Sequence, residues 1–184
     1  RPKEALAWLE RSVAVYPGLD DTRITLVDIH VQLGVDGGQP FGALLLAEQL
    51  VEEGPLDPYR QIQLAKVEIM VGDLTGERDW YVQAEERALD ILNYAEPKGL
   101  VYIVAAIARE KAGDPGGALE LLDRSCREGL DHFTVLAARC ELALRMGLRR
   151  RARRDLAAVM QATGPRSPMV LRLQAQMAAA RPPR

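Results

Sequence analysis

The sequence predicts an all-α protein, a solenoid of stacked antiparallel helix pairs with about ten helices. Three observations predict it. Gly113 and Gly147, Ala118 and Ala152, and Leu122 and Leu156 each stand 34 residues apart in helix-forming sequence. Glycine and proline signals cut the chain into pieces of about 11 to 17 residues, each with apolar positions at helical spacing. No segment alternates as a strand would.

Composition agrees. The chain has 184 residues, 48% hydrophobic and 27% charged, ordinary values for a globular chain. Aromatics are 5%, whereas Ala and Leu, the strongest helix formers, abound. The longest apolar run, Leu100 to Ala108, is far short of the roughly 20 residues that cross a bilayer. The chain opens at Arg1 and enters helical sequence at once, which leads us to expect a fragment of a larger protein or a processed product. Its compartment is therefore open between cytoplasm and periplasm. Cys126 and Cys140 lack metal-site spacing and read as buried free thiols, with a disulfide or a metal as alternatives.

The turn signals run in order: Tyr16-Pro-Gly18, Gly34 to Gly42, Gly54-Pro55, Gly72 to Gly76, Glu96-Pro97, Gly113 to Gly117, Gly129-Leu-Asp131, Gly147, and Gly164 to Pro168. They divide the chain, read as a single repeat domain over 1–184, into a half unit (1–18), four units (about 20–55, 58–97, 99–130 and 133–165) and a closing half unit (167–180). The opening half holds Ala5, Leu9, Ser12 and Pro17. In the second unit Leu26-Val27, His30 and Gly34 form a first helix, and Ala43, Ala47 and Leu50 its partner. In the third, Leu64-Ala65, Glu68 and Gly72 precede Ala84, Ala88 and Ile91. Ala118, Leu122 and Ser125 mark the fourth, and Ala152, Leu156 and Val159 the fifth. Small residues suit the crossing of two close helices, and bulky ones four positions on fill the adjacent groove. The two longer intervals place their extra residues at Val35 to Phe41 and Leu74 to Trp80, between paired helices. An irregular helical bundle is the competing architecture.

These residues resemble the tetratricopeptide repeat over almost the whole chain. The match is degenerate: His30 and Glu68 stand where Tyr is usual, and Arg139 where Leu is usual. The resemblance implies a right-handed α-solenoid and a non-catalytic protein-interaction scaffold. An adaptor, a chaperone for a secreted subunit or an assembly scaffold are the roles it suggests, with a bacterial secretion or assembly system as one setting.

The resemblance also implies that the first helix of each pair lines a concave face. That face takes Asp21, Ile24, Asp28, Val31 and Gln32 from the second unit, and Tyr59, Ile62, Lys66, Ile69 and Met70 from the third. The fourth gives Leu100, Ile103, Ile107, Glu110 and Lys111, and the fifth Thr134, Ala137, Glu141, Leu144 and Arg145. Ile62, Ile69, Met70, Leu100, Ile103 and Ile107 together form an apolar patch, which on an open face marks an interaction site. A partner's amphipathic helix or extended peptide, or another region of the parent chain, is the expected occupant. Five inner helices about 9–10 Å apart make a groove about 40 Å long. A register one residue off would instead make these residues ordinary core. The clamp with which some tetratricopeptide repeats hold acidic chaperone tails is not expected, since Asp28, Lys66, Ile107 and Glu141 stand where its asparagines would be needed.

Charge is divided along the chain. Residues 1–138 hold 13 Lys and Arg against 24 Asp and Glu, whereas 139–184 hold 11 against 2. A basic patch, Arg149, Arg150, Arg151, Arg153 and Arg154, opens a helix, where positive charge opposes the macrodipole. The alternative function is therefore an electrostatic docking element that binds an anionic polymer or drives head-to-tail self-association into a homo-oligomer. The competing reading is a solvated face balanced by Asp155 and Glu141. Nucleic acid is disfavoured, because no aromatic residue follows Phe133 to stack on bases. Catalytic residues, metal ligands and cofactors are not expected: His30 sits on an apolar stripe, His132 starts a helix, and no nucleophile stands in a motif with either.

Overall fold

The computed structural model describes residues 2–96, 98–130 and 132–179. Pro97 and Asp131 of the turn signals, Arg181 and Arg184 of the basic end, and the rest of 180–184 lie outside them, as does Arg1. All regular structure among the described residues is helical, and the chain divides into two compact units, Arg1–Ala95 and Glu96–Arg184.

Unit 1 contains α1 (Pro2–Val15), α2 (Asp20–Gly37), α3 (Pro40–Glu53), α4 (Pro58–Thr75) and α5 (Arg78–Asp90). Each helix packs on the next, and α2 also packs on α4. The small residues at the crossings are fully buried: Ala43, Ala47, Ala65, Ala84 and Ala88. Val27, Leu50, Leu64, Val67, Met70 and Val71 fill the core around them. Prolines open α3 and α4, where a missing N–H costs nothing, and Asp57 caps α4 by accepting from the Tyr59 N–H at 2.9 Å. Two arginines tie the unit together at one end. Arg23, buried on α2, reaches Glu53 on α3 at 2.6 Å, and Arg60 on α4 reaches Asp20 on α2 at 2.5 Å.

Unit 2 contains α6 (Lys98–Lys111), α7 (Pro115–Arg127), α8 (Phe133–Arg145), α9 (Arg149–Thr163) and α10 (Pro168–Ala179). Again successive helices pack, and α8 also packs on α6 and α10. Ala137, Cys140, Ala143, Ala152, Leu156, Val159, Val170 and Leu173 form its core. Neither cysteine is in a disulfide. Cys140 is buried and donates to the Ala152 carbonyl, and burial pushes its thiol up to about 11.

The two stretched intervals are shorter loops than the sequence suggests. Gly34, at φ 65° and ψ −165°, breaks the ladder of α2, which then makes one more turn to Gly37, leaving only Gly38 and Gln39 before α3. The second interval is largely helix. α4 continues through Leu74 to a left-handed Gly76, and α5 begins at Arg78. Gly72, expected as a turn signal, lies inside α4, where its bare face meets the Tyr81 ring. The helix therefore continues past it to the next breaker.

Candidate partner-binding faces

The first helices of the pairs in unit 2, α6 and α8, stand side by side and expose a strip of mixed character. At one end Lys98, Gly99, Leu100 and Ile103 of α6 face Leu130, His132 and Thr134 across an apolar cavity of about 760 Å³. At the other end Ile107, Glu110 and Lys111 of α6 join Glu141 and Arg145 of α8 around an open depression of about 510 Å³. Ile103 borders both the apolar cavity and the small cleft that Ala106, Ile107, Ala138 and Leu142 continue beside the depression. From Gly99 to Lys111 the strip runs about 18 Å along α6, at 1.5 Å per helical residue.

Electrostatics fix the charged end. Arg145 donates from Nε and from a terminal nitrogen to the two oxygens of Glu110, both at 2.6 Å. This fork is the main reason the guanidinium is held above its usual range. Arg172 of α10 brings a terminal nitrogen to 2.6 Å from Glu141, an ion pair without hydrogen-bond alignment. Of the residues expected on this face from the fourth and fifth units, Leu100, Ile103, Ile107, Glu110, Lys111, Thr134, Glu141 and Arg145 line the strip. Ala137 and Leu144, also expected there, belong to the core. Gly99, Leu130 and His132 are additions that helical spacing cannot find, since they lie in a first turn or a loop. His132 is exposed, and its Nδ1 lies 3.1 Å from the Thr134 hydroxyl.

Unit 1 corrects the expectation. Ile62, Ile69 and Met70 are 3%, 8% and 4% exposed, so they do not form an open apolar patch. α4 packs against α2, α3 and α5 and is buried nearly all round, which erases the one-sided stripe on which the expectation rested. Ile24 and Val31 are half-buried and pack on the unit 1 core. The polar members do converge. Asp28 accepts from the Tyr59 hydroxyl at 3.1 Å and from Lys66 Nζ at 3.4 Å, and Lys66 also reaches the Gln63 side-chain oxygen. Burial, then the Asp28 charge, pushes the Tyr59 phenol up.

The arginine run is less compensated than expected. Arg139 takes Asp155 in a fork of 3.0 and 2.6 Å, and Arg172 takes Glu141. Of the run only Arg151 has an ion pair among the described residues, with Asp123. Arg150, Arg153 and Arg154 are exposed, and Arg149 is half-buried.

One solved structure decides the fold. The crystal structure of a thermophilic TPR protein of Thermus thermophilus superposes with a TM-score of 0.81, over 98% of this chain and 90% of that one, at 20% identity. The chain has the tetratricopeptide-repeat fold. No family model matches the sequence, and no curated protein does. The degenerate positions are filled by other groups, His30 and Glu68 buried and Arg139 half-buried. His30 is 4% exposed. Glu68 is gripped by Arg87, and Arg139 by Asp155. No described helix is long and apolar enough to cross a membrane.

Proposed function

We propose that this chain is a non-catalytic protein-interaction module, and that unit 2 receives an amphipathic segment of a partner along α6 and α8. The observation that carries this is the cavity lined by Leu100, Ile103 and Leu130, which continues along α6 toward the Glu110–Arg145 fork. An apolar side chain of the partner fills the cavity. Polar groups beside it meet Glu110, Lys111 and Arg145. A strip of about 18 Å holds about 12 residues of helix or about five of strand. The fold supports the reading, since tetratricopeptide repeats are typically non-enzymatic scaffolds. Adaptor, chaperone for a secreted subunit and assembly scaffold are roles such a strip serves, and the partner's chemistry chooses among them.

The test uses selection from a displayed random-peptide library. Wild-type protein should enrich peptides with an apolar anchor flanked by charge. Ile103→Glu with Ile107→Glu should lose that enrichment while its helical circular dichroism stays intact. Undiminished enrichment by the folded double variant would sink the assignment of this strip.

A further inference from the structure

The two units carry opposite net charge, and the basic excess of unit 2 lies in residues 139–184. Residues 1–95 carry 8 Lys and Arg against 17 Asp and Glu, net −9, whereas 96–184 carry 16 against 9, net +7. Part of each excess lies on an exposed helix face. On α9 the buried side is Ala152, Asp155, Leu156 and Val159, and Arg150, Arg153 and Arg154 point away from it. On α5 the buried side is Ala84 and Ala88, and Asp79, Glu86 and Asp90 are exposed. At 3.6 residues per turn those three acids fall within about 40° of one another, in a line about 16 Å long. The arginines make two adjacent rows, Arg149 with Arg153 and Arg150 with Arg154, each at a spacing of four residues.

Neither face is satisfied among the described residues. Arg149, Arg150, Arg153, Arg154, Asp79, Glu86 and Asp90 have no ion pair among the described residues. Part of each set works against its own helix, although Asp79 in the first turn of α5 favours it. Arginines in the first turn of α9 and Asp90 in the last turn of α5 both oppose the helix macrodipole.

We propose that the arginine face of α9 docks on the acidic face of α5 of a second copy of this chain, with the acidic line seated between the two arginine rows. Planar guanidinium groups suit carboxylates, which they bind through paired N–H donors. The contact joins two different surfaces, so it is heterologous and repeats into open chains or a ring. The proposal rests on other residues than those of the α6–α8 strip and stands independently of it. A polyanion would meet the same arginines, but it would leave the acidic line of α5 unexplained. Base stacking has no aromatic partner after Phe133.

Analytical ultracentrifugation of the whole chain tests this with charge swaps. At about 10 mM salt, where charges act over about 30 Å, the average mass should rise with concentration above the 20.3 kDa monomer, and at about 1 M salt it should return to the monomer. Arg150→Glu with Arg154→Glu, and separately Glu86→Lys with Asp90→Lys, should each stay monomeric at low salt with unchanged circular dichroism. Mixing the two variants should restore association, because the swapped faces complement each other. A wild-type monomer at low salt, association persisting in either swap, or failure of the mixture to recover would each overturn the proposal. So would a monomer that binds a heparin column through Arg150 and Arg154, which would assign the face to a polyanion.

Discussion

Arg87 on α5 grips the carboxylate of Glu68 on α4 through three hydrogen bonds of 2.7 to 3.1 Å, and a fourth at 2.9 Å ties it to Gln61. Glu68 is 2% exposed, at a position where the repeat usually places a tyrosine. The pair thus replaces an aromatic filler with a buried charge held by Arg87.

Arg87→Ala should therefore destabilise the protein by about 3 kcal/mol, since a buried charge left alone costs far more than the pair contributes. Replacing both residues by leucine should recover most of that loss. Urea unfolding midpoints check it. Burial is the largest influence on Glu68 and raises its carboxyl, with Arg87 opposing. A raised folded-state value means stability is lost as pH rises, so the Arg87→Ala defect should be smaller near pH 5 than near pH 8.

His30 gives the opposite slope. Burial holds the imidazole below its usual value, with the Glu10 charge opposing, and its Nδ1 has no hydrogen-bond partner. The unfolded chain takes up a proton near pH 6.5 that the folded chain refuses, so this contribution is complete above pH 6.5 and fades as pH falls below it. From this residue, wild-type unfolding free energy should fall as pH drops below about 6.5, with a slope of up to about 1.4 kcal/mol per pH unit. His30→Phe should remove that share of the slope.

Gly72 sits in mid-helix, where alanine ordinarily gains about 1 kcal/mol. Here an added Cβ would stand 2.7 Å from the Tyr81 ring. Tyr81 is held by its hydroxyl, which donates to Asp73 at 2.9 Å. Gly72→Ala should therefore destabilise by about 1–3 kcal/mol through overpacking. Adding Tyr81→Leu to it should reverse the sign. Thermal unfolding of both variants decides.

Arg145 separates binding from stability. Its fork to Glu110 is half-exposed, so Arg145→Ala should cost no more than about 1 kcal/mol of folding stability. The same substitution should weaken peptides selected on the α6–α8 strip at least tenfold, measured by fluorescence polarisation. A peptide bound equally well by the variant would remove the charged end from the site.

Much of the fold was legible in the sequence because a period is a local property. Ala118 and Ala152 mark crossings of paired helices, and both are fully buried. Loop lengths were less legible. Gly72 reads as a breaker, but glycine tolerated for packing and glycine needed for a turn have the same letter. The candidate face was half legible. Ile103 and Ile107 of α6 reach an open strip, whereas Ile62 and Ile69 of α4 are enclosed.

The sequence by itself determined the helices and the uneven distribution of charge, because spacing, glycine and proline positions and net charge need no neighbours to be read. Only the tertiary structure decided which isoleucines stay open, which acids are taken by Arg87, Arg139 and Arg172, and which arginines are left over. Burial and ion pairing depend on helices that are distant in sequence, and a 3.6-residue period specifies a face without specifying what covers it.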